Sequence, residues 1–206
     1  MNYEQVFLYY LSRENFDFDQ TILFLEKEGY FLKNPQTSSI TIYQKSGDSE
    51  VSYDKVKQLF NDNEPFSIIL WLDSLSYLTI SFYSKDEYFV LVFNLHQLDT
   101  SKINKFSEVS LIYIFNELRR VGNNILGFGI DKDGHSYDYD FEYFFDGTNN
   151  SIDAKYLLDI FIIPKEKMND IMIDDRFKLL DINSSFICAV KNKFLFTYVE
   201  TLIKSE

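Results

Sequence analysis

The densest group of side chains that could do chemistry lies between residues 131 and 146 of this 206-residue chain. Residues 131–135 are typical of a turn, and the alternation that follows predicts a strand over 136–145 with aromatic side chains on one side. Like charges on one strand face repel unless bases, solvent, a cation or a partner offset them. The segment therefore predicts a solvated outer strand, a recognition surface for a basic partner, or a metal site. Its candidate residues are Asp131, Asp133, Asp138, Asp140 and Glu142.

The spacing of three of these carboxylates resembles a calcium loop. Counting from Asp131 as position 1, Asp133 falls at position 3 and Glu142 at position 12 of such a loop. However, His135 and Ser136 occupy positions 5 and 6, where the loop needs an oxygen ligand and a glycine. The pattern therefore predicts neither a metal nor another cofactor.

Other catalytic signatures are missing from the sequence. The two histidines, His96 and His135, lack the spacing of a zinc site, and there is no nucleophile elbow or phosphate-binding loop. Cys188 lies in an apolar run with no base beside it, which favours a buried structural thiol over a nucleophile. We therefore assign no catalytic residue and expect a protein that is not an enzyme, although an unrecognised carboxylate site stays an alternative.

A meander predicted over residues 66–95 forms the core of the expected fold. Three apolar runs, 66–72, 77–83 and 88–95, are separated by breaks of hairpin length. Within the second run, alternating apolar residues leave Tyr77 and Tyr83 on the outward side. The fold class predicted is α+β, a largely antiparallel sheet with this meander at its centre and helices covering one face.

The remaining segments extend the same pattern. Residues 3–12 suggest a short helix, and further helices are predicted over 19–28, 52–61, 107–121 and 164–171. Strands are predicted over 38–44, 125–130, 156–163, 177–182, 185–190 and 194–199, with turns at 45–49 and 191–193. The chain is interpreted as a single domain, 1–206, with one weak possible seam at 147–151.

Charge limits the class of partner. The chain has 20 Lys and Arg against 32 Asp and Glu, a net charge of −12. Such a charge disfavours nucleic acid and anionic membranes and favours a basic protein partner. The single cysteine and the lack of a signal or membrane-spanning run predict a cytoplasmic protein. The oligomeric state stays open.

A small, acidic, aromatic-rich α+β chain without a catalytic signature resembles the immunity proteins of bacterial polymorphic-toxin and contact-dependent-inhibition systems. The resemblance implies binding to a cognate toxin domain, often a basic nuclease, and occlusion of its active site. A structural or regulatory interaction protein is the alternative. The partner-binding residues expected on this interpretation are Asp131, Asp133, Asp138, Asp140 and Glu142, with Tyr77 and Tyr83 on the meander.

Overall fold

A ten-stranded antiparallel sheet with helices on one face makes this an α+β protein. The computed structural model describes residues 4–85, 88–95, 97–132, 134, 158–170, 175–191 and 193–205. The strands are β1 (Gln5–Tyr10), β2 (Ile40–Gln44), β3 (Gly47–Val51), β4 (Phe66–Trp71), β5 (Tyr77–Lys85), β6 (Tyr88–Asn94), β7 (Ile125–Asp131), β8 (Ile160–Pro164), β9 (Lys178–Asp181) and β10 (Phe186–Val190). Their order across the sheet is β3-β2-β4-β5-β6-β1-β7-β8-β10-β9.

Four α-helices accompany the sheet in the described part of the chain. They are α1 (Phe18–Lys27), α2 (Tyr53–Asn61), α3 (Thr100–Val121) and α4 (Lys193–Lys204), and short 3-10 helices cover Arg13–Asn15, Gly122–Asn124 and Lys165–Asp170. Each α-helix contributes buried side chains to one large apolar core on the same face of the sheet. None of these described helices is long and apolar enough to cross a membrane.

The predicted meander is confirmed. Strands β4, β5 and β6 pair antiparallel in sequence order, with Ile68 opposite Ile80 and Ile80 opposite Phe93. The prediction of helix α2 is confirmed too, because the Ser52 side chain accepts a hydrogen bond from the Lys55 N–H at its start.

The predicted helix over residues 3–12 is wrong, because Gln5–Tyr10 is the strand β1. All six residues of β1 are buried. Val6 belongs to the core on the helix face, whereas its neighbour Phe7 belongs to a second apolar cluster on the opposite face. A strand buried on both faces shows no alternation, so its sequence has no period that distinguishes it from a helix.

The C-terminal strand predicted over 194–199, with a hairpin turn before it, is also wrong. These residues lie in α4, where Leu195 and Val199 are fully buried at helical spacing. The period becomes visible only over the longer segment, since Leu202 and Ile203 pack against the same core.

Smaller boundary errors have local causes. Helix α1 begins at Phe18, one residue before the predicted start at 19, because the Asp17 carboxylate accepts the Gln20 N–H and caps it. Helix α3 begins at Thr100, well before residue 107, because Asp99 caps it. Part of the turn predicted at 45–49 is the short edge strand β3. The strand predicted over 136–145 and the seam at 147–151 lie outside the described residues.

The face of the sheet opposite the helices is here called the outer face. Its side chains change from polar to apolar along one row of paired residues. At the β3 end the row is polar, and from β6 onward it is apolar and joins the second cluster. The row runs through Asp48, Tyr43, Ser67, Ser81, Val92, Phe7, Gly129, Phe161, Ala189 and Leu179.

Candidate functional site

Asp131 is the one candidate carboxylate that the structure describes, and it does not lie on the surface. Its side chain is 0% exposed, and its Oδ1 accepts the Gly134 N–H at 2.8 Å. The prediction that Asp131 lies in a turn and binds a partner is therefore corrected, because Asp131 ends the strand β7 and a fully buried carboxylate offers no surface for contact. The other candidates, Asp133, Asp138, Asp140 and Glu142, lie outside the described residues.

Asp131 ends a row of polar side chains on the outer face of the sheet. Gln5 lies opposite it on β1, and the Gln5 Nε2 donates to Asn94 Oδ1 on β6 at 2.6 Å. Asn94 Nδ2 donates in turn to Thr79 Oγ1 on β5 at 3.3 Å. These two hydrogen bonds join β1, β6 and β5 and give Gln5, Asn94 and Thr79 structural partners.

Tyr77 and Tyr83 point away from the helices, as the alternation predicted. Their neighbours Leu78, Ile80 and Phe82 are buried in the core on the helix face, whereas both tyrosines are partly exposed. Their orientation is confirmed, and their role in binding a partner stays a prediction.

A row of three aromatic side chains crosses the outer face near the β4–β5 hairpin. Phe31 pairs with Trp71 through two backbone hydrogen bonds of 2.8 Å, and Trp71 lies opposite Tyr77. Because paired residues of antiparallel strands share a face, Phe31, Trp71 and Tyr77 lie side by side. The Trp71 and Tyr77 rings are 5.2 Å apart, and Phe31 is 50% exposed.

The tip of the β4–β5 hairpin presents a leucine to solvent. Leu75 is 86% exposed. The loop beneath it is held by the Asp73 carboxylate, which accepts the N–H groups of Leu75 and Ser76 at 2.8 and 2.7 Å. These bonds hold the pKa of Asp73 below its usual value. Lys102 also bonds both Asp73 and Ser76, so the exposed leucine stands on an ordered turn.

At the other end of the outer face, Tyr43, Ser67, Ser81 and Tyr83 form a depression of about 420 Å³, here called the tyrosine–serine pocket. The hydroxyls of Ser67 and Ser81 lie 2.8 Å apart and form its floor. Lys45 also lines this pocket. The four side chains come from β2, β4 and β5, so the sheet register alone brings them together.

An acidic edge flanks this pocket. Asp48 lies opposite Tyr43 and Glu50 lies opposite Thr41, so both carboxylates share the outer face. Burial raises the pKa of Tyr43, with further contributions from Tyr77 and Asp48. The same face therefore combines aromatic side chains, hydroxyls and negative charge.

A second polar cluster lies inside the helix layer. The Glu117 carboxylate accepts the Tyr10 hydroxyl at 2.7 Å and the Arg120 guanidinium at 2.6 and 2.8 Å. The Tyr113 hydroxyl lies 3.2 Å from that of Tyr10 and 2.7 Å from that of Thr21. This network ties β1, α1 and α3 together, and its hydrogen bonds satisfy polar groups that burial would otherwise penalise.

Some of these residues were missed by sequence reasoning. Tyr43 alternates with Ile40 and Ile42, so its outward orientation was readable, but nothing marked it as part of a pocket. Trp71 lies in the predicted apolar run 66–72, and the structure places it half-buried on the outer face. Phe31 lies in no predicted helix or strand. Only its bridge to Trp71 places it on the outer face.

Among the described residues, no group of three His, Cys, Asp or Glu side chains could hold a metal ion. The candidate site is the outer face of β3, β2, β4 and β5, because its aromatic rings, hydroxyls and carboxylates are groups that form binding contacts. No family model, curated protein or solved structure matches the chain.

Proposed function

We propose that this chain is an inhibitory binding protein of the immunity type, which binds a cognate basic toxin domain and occludes its active site. The contact surface is the outer aromatic face, defined as Phe31, Tyr43, Trp71, Tyr77 and Tyr83. The observation that carries the proposal is the aromatic row of Phe31, Trp71 and Tyr77, together with Leu75, which is exposed in the loop that joins β4 to β5.

The composition of this face supports binding to a protein. Tyrosine and tryptophan are enriched among residues that dominate binding energies, because they bury large apolar areas and keep a polar group for hydrogen bonding. In the described residues, the α-helices all pack on the opposite side of the sheet. These helices therefore do not cover the aromatic side chains of the outer face.

The charge supports a basic partner. The chain carries a net charge of −12, and Asp48 and Glu50 lie along the edge of the aromatic face. Complementary charge speeds association and rejects partners of like charge. Affinity for the partner should consequently fall as salt concentration rises.

A growth-rescue experiment tests the proposal. The reading frame immediately upstream in the source genome is expressed under tight control in a bacterial host, with and without this chain. We expect growth arrest from the upstream product and recovery with the wild-type chain. An upstream product that does not arrest growth, or an arrest that the wild-type chain does not relieve, contradicts the immunity-type function.

Two variants locate the surface. Phe31→Ser with Leu75→Ser should abolish rescue and weaken binding by at least about 30-fold, the equivalent of about 2 kcal/mol at an interface hot spot. Leu23→Ser is the matched control, because Leu23 is 45% exposed and lies on α1, on the other side of the sheet. Equal rescue by both variants would show that the aromatic row is not the contact surface.

A further inference from the structure

We infer that the tyrosine–serine pocket binds the guanidinium group of an arginine side chain. Its biological occupant, an arginine of the basic partner, rests on the proposed function. The chemistry of the pocket stands on its own lining residues, and it can be tested without the partner.

The floor of the pocket suits a group rich in hydrogen-bond donors. Ser67 and Ser81 lie opposite each other in the sheet register, with their hydroxyl oxygens 2.8 Å apart. One hydroxyl donates to the other, so the pair keeps about three acceptor lone pairs and one free O–H. The five N–H donors of a guanidinium match such a floor.

The walls of the pocket suit a flat cation. Tyr43 lies beside Ser67, and Tyr83 follows Ser81 on the same face of β5. Because neighbouring strands are about 4.8 Å apart, Tyr43 and Ser81 stand about 10 Å apart across the sheet. A guanidinium lying on the serine floor can therefore reach the face of either ring, an arrangement that is attractive through cation–π interaction. A volume of about 420 Å³ accommodates an arginine side chain.

The charges around the pocket favour a cation. Asp48 lies opposite Tyr43 and contributes to raising the pKa of that phenol. Glu64 accepts a hydrogen bond from Gln44, which also lines the pocket. Lys45 is the one charged side chain in the described lining, and the carboxylates of Asp48 and Glu64 lie next to lining residues. Arginine fits better than lysine, because its planar group stacks on rings and is more weakly hydrated.

The test is an NMR titration of the ¹⁵N-labelled protein with Nα-acetyl-L-argininamide. We expect saturable shifts at the amides of residues 43–45, 66–67 and 81–83, with a dissociation constant in the millimolar range. The lysine analogue should bind about fivefold more weakly, the equivalent of about 1 kcal/mol of cation–π and stacking contact. The citrulline analogue, which has the same shape without the charge, should not bind.

Two variants assign the site. Tyr43→Leu should weaken binding of the arginine probe by about fivefold. Tyr198→Leu, the same change on α4 on the other side of the sheet, should leave binding unchanged. Absence of shifts at about 50 mM probe, shifts centred elsewhere, equal binding of the citrulline analogue, or equal effects of the two variants would overturn the inference.

Each of the two proposals can be disproved without disproving the other. Growth rescue with no binding of the arginine probe would leave the immunity-type function in place and remove the arginine pocket. Specific binding of the arginine probe without growth rescue would keep the pocket and remove the toxin partner.

Discussion

Glu117 is a buried carboxylate within the apolar helix layer, and its hydrogen bonds contribute to the stability of the fold. It is 6% exposed, and its carboxylate accepts hydrogen bonds from Tyr10 and Arg120. The hydrogen bonds to Glu117 raise the pKa of Arg120, while burial raises the pKa of Tyr10 and Tyr113. Sequence showed Glu117 only as a charged position within a helix, because its partners come from β1 and from the following turn of α3.

Replacing Glu117 by Gln should lower the free energy of unfolding by about 2 kcal/mol, since Arg120 loses its counter-charge and a side-chain amide faces its donors. Urea unfolding followed by circular dichroism measures the change. Glu108→Gln is the control on the same helix, where Glu108 is only partly buried. Equal losses in the two variants would contradict a stabilising role for the network.

Alkaline pH should destabilise the protein. Burial raises the pKa of Cys188, Tyr10 and Tyr113, so the folded state holds protons that the unfolded state loses above about pH 8.5 for the thiol and about pH 10 for the phenols. Because the unfolded state then binds fewer protons, the free energy of unfolding should fall as pH rises through this range.

Urea unfolding at pH 7, 9 and 10.5 under reducing conditions measures this decline. Cys188→Ala should show a shallower fall between about pH 8 and 9.5, because it lacks the thiol that titrates there. A free energy of unfolding that stays constant up to pH 10.5 would disagree with the raised pKa values.

Helix α4 and strand β1 are two elements whose type was predicted wrongly from local sequence patterns. Strand β1 and the first half of α4 are both rich in aromatic and aliphatic residues, so a six-residue window fits a helix and a strand equally well. Helix α2 was recognised although it has nine residues, because Ser52 caps it, and α3 was recognised because buried positions recur along its 22 residues. The type of an element could therefore be predicted where a cap marked its start or its period extended over enough residues. It could not be predicted for β1, because burial on both faces left no period in the sequence.

Leu195 should be a principal anchor of α4. It is fully buried in the core on the helix face. Leu195→Ala should lower the free energy of unfolding by about 2–4 kcal/mol through lost burial and the cavity left behind. Thr201→Ala, on the exposed side of the same helix, should change it by less than about 0.5 kcal/mol. Chemical denaturation of both variants measures the difference, and similar values would place α4 outside the core.

The molecule as a whole is asymmetric across its sheet. One face carries the α-helices, while the outer face changes from acidic and aromatic at the β3 end to apolar beyond β6. The central strand β1 pairs with β6 on one side and β7 on the other, and β7 pairs in turn with β8, so the sheet connects the first and last thirds of the chain. The single-domain organisation stays a prediction, and this continuous sheet is its strongest support.

Sequence alone determined the fold class, the central meander and the outward orientation of Tyr77 and Tyr83, because alternation and caps act between near neighbours. Only tertiary structure decided that Phe31 joins Trp71, that Tyr43 and Tyr83 flank two serines, and that Asp131 is buried. These contacts depend on strand register and sheet order. Both are set by the burial of the whole core, since pairing energies between distant segments leave no trace in local periodicity.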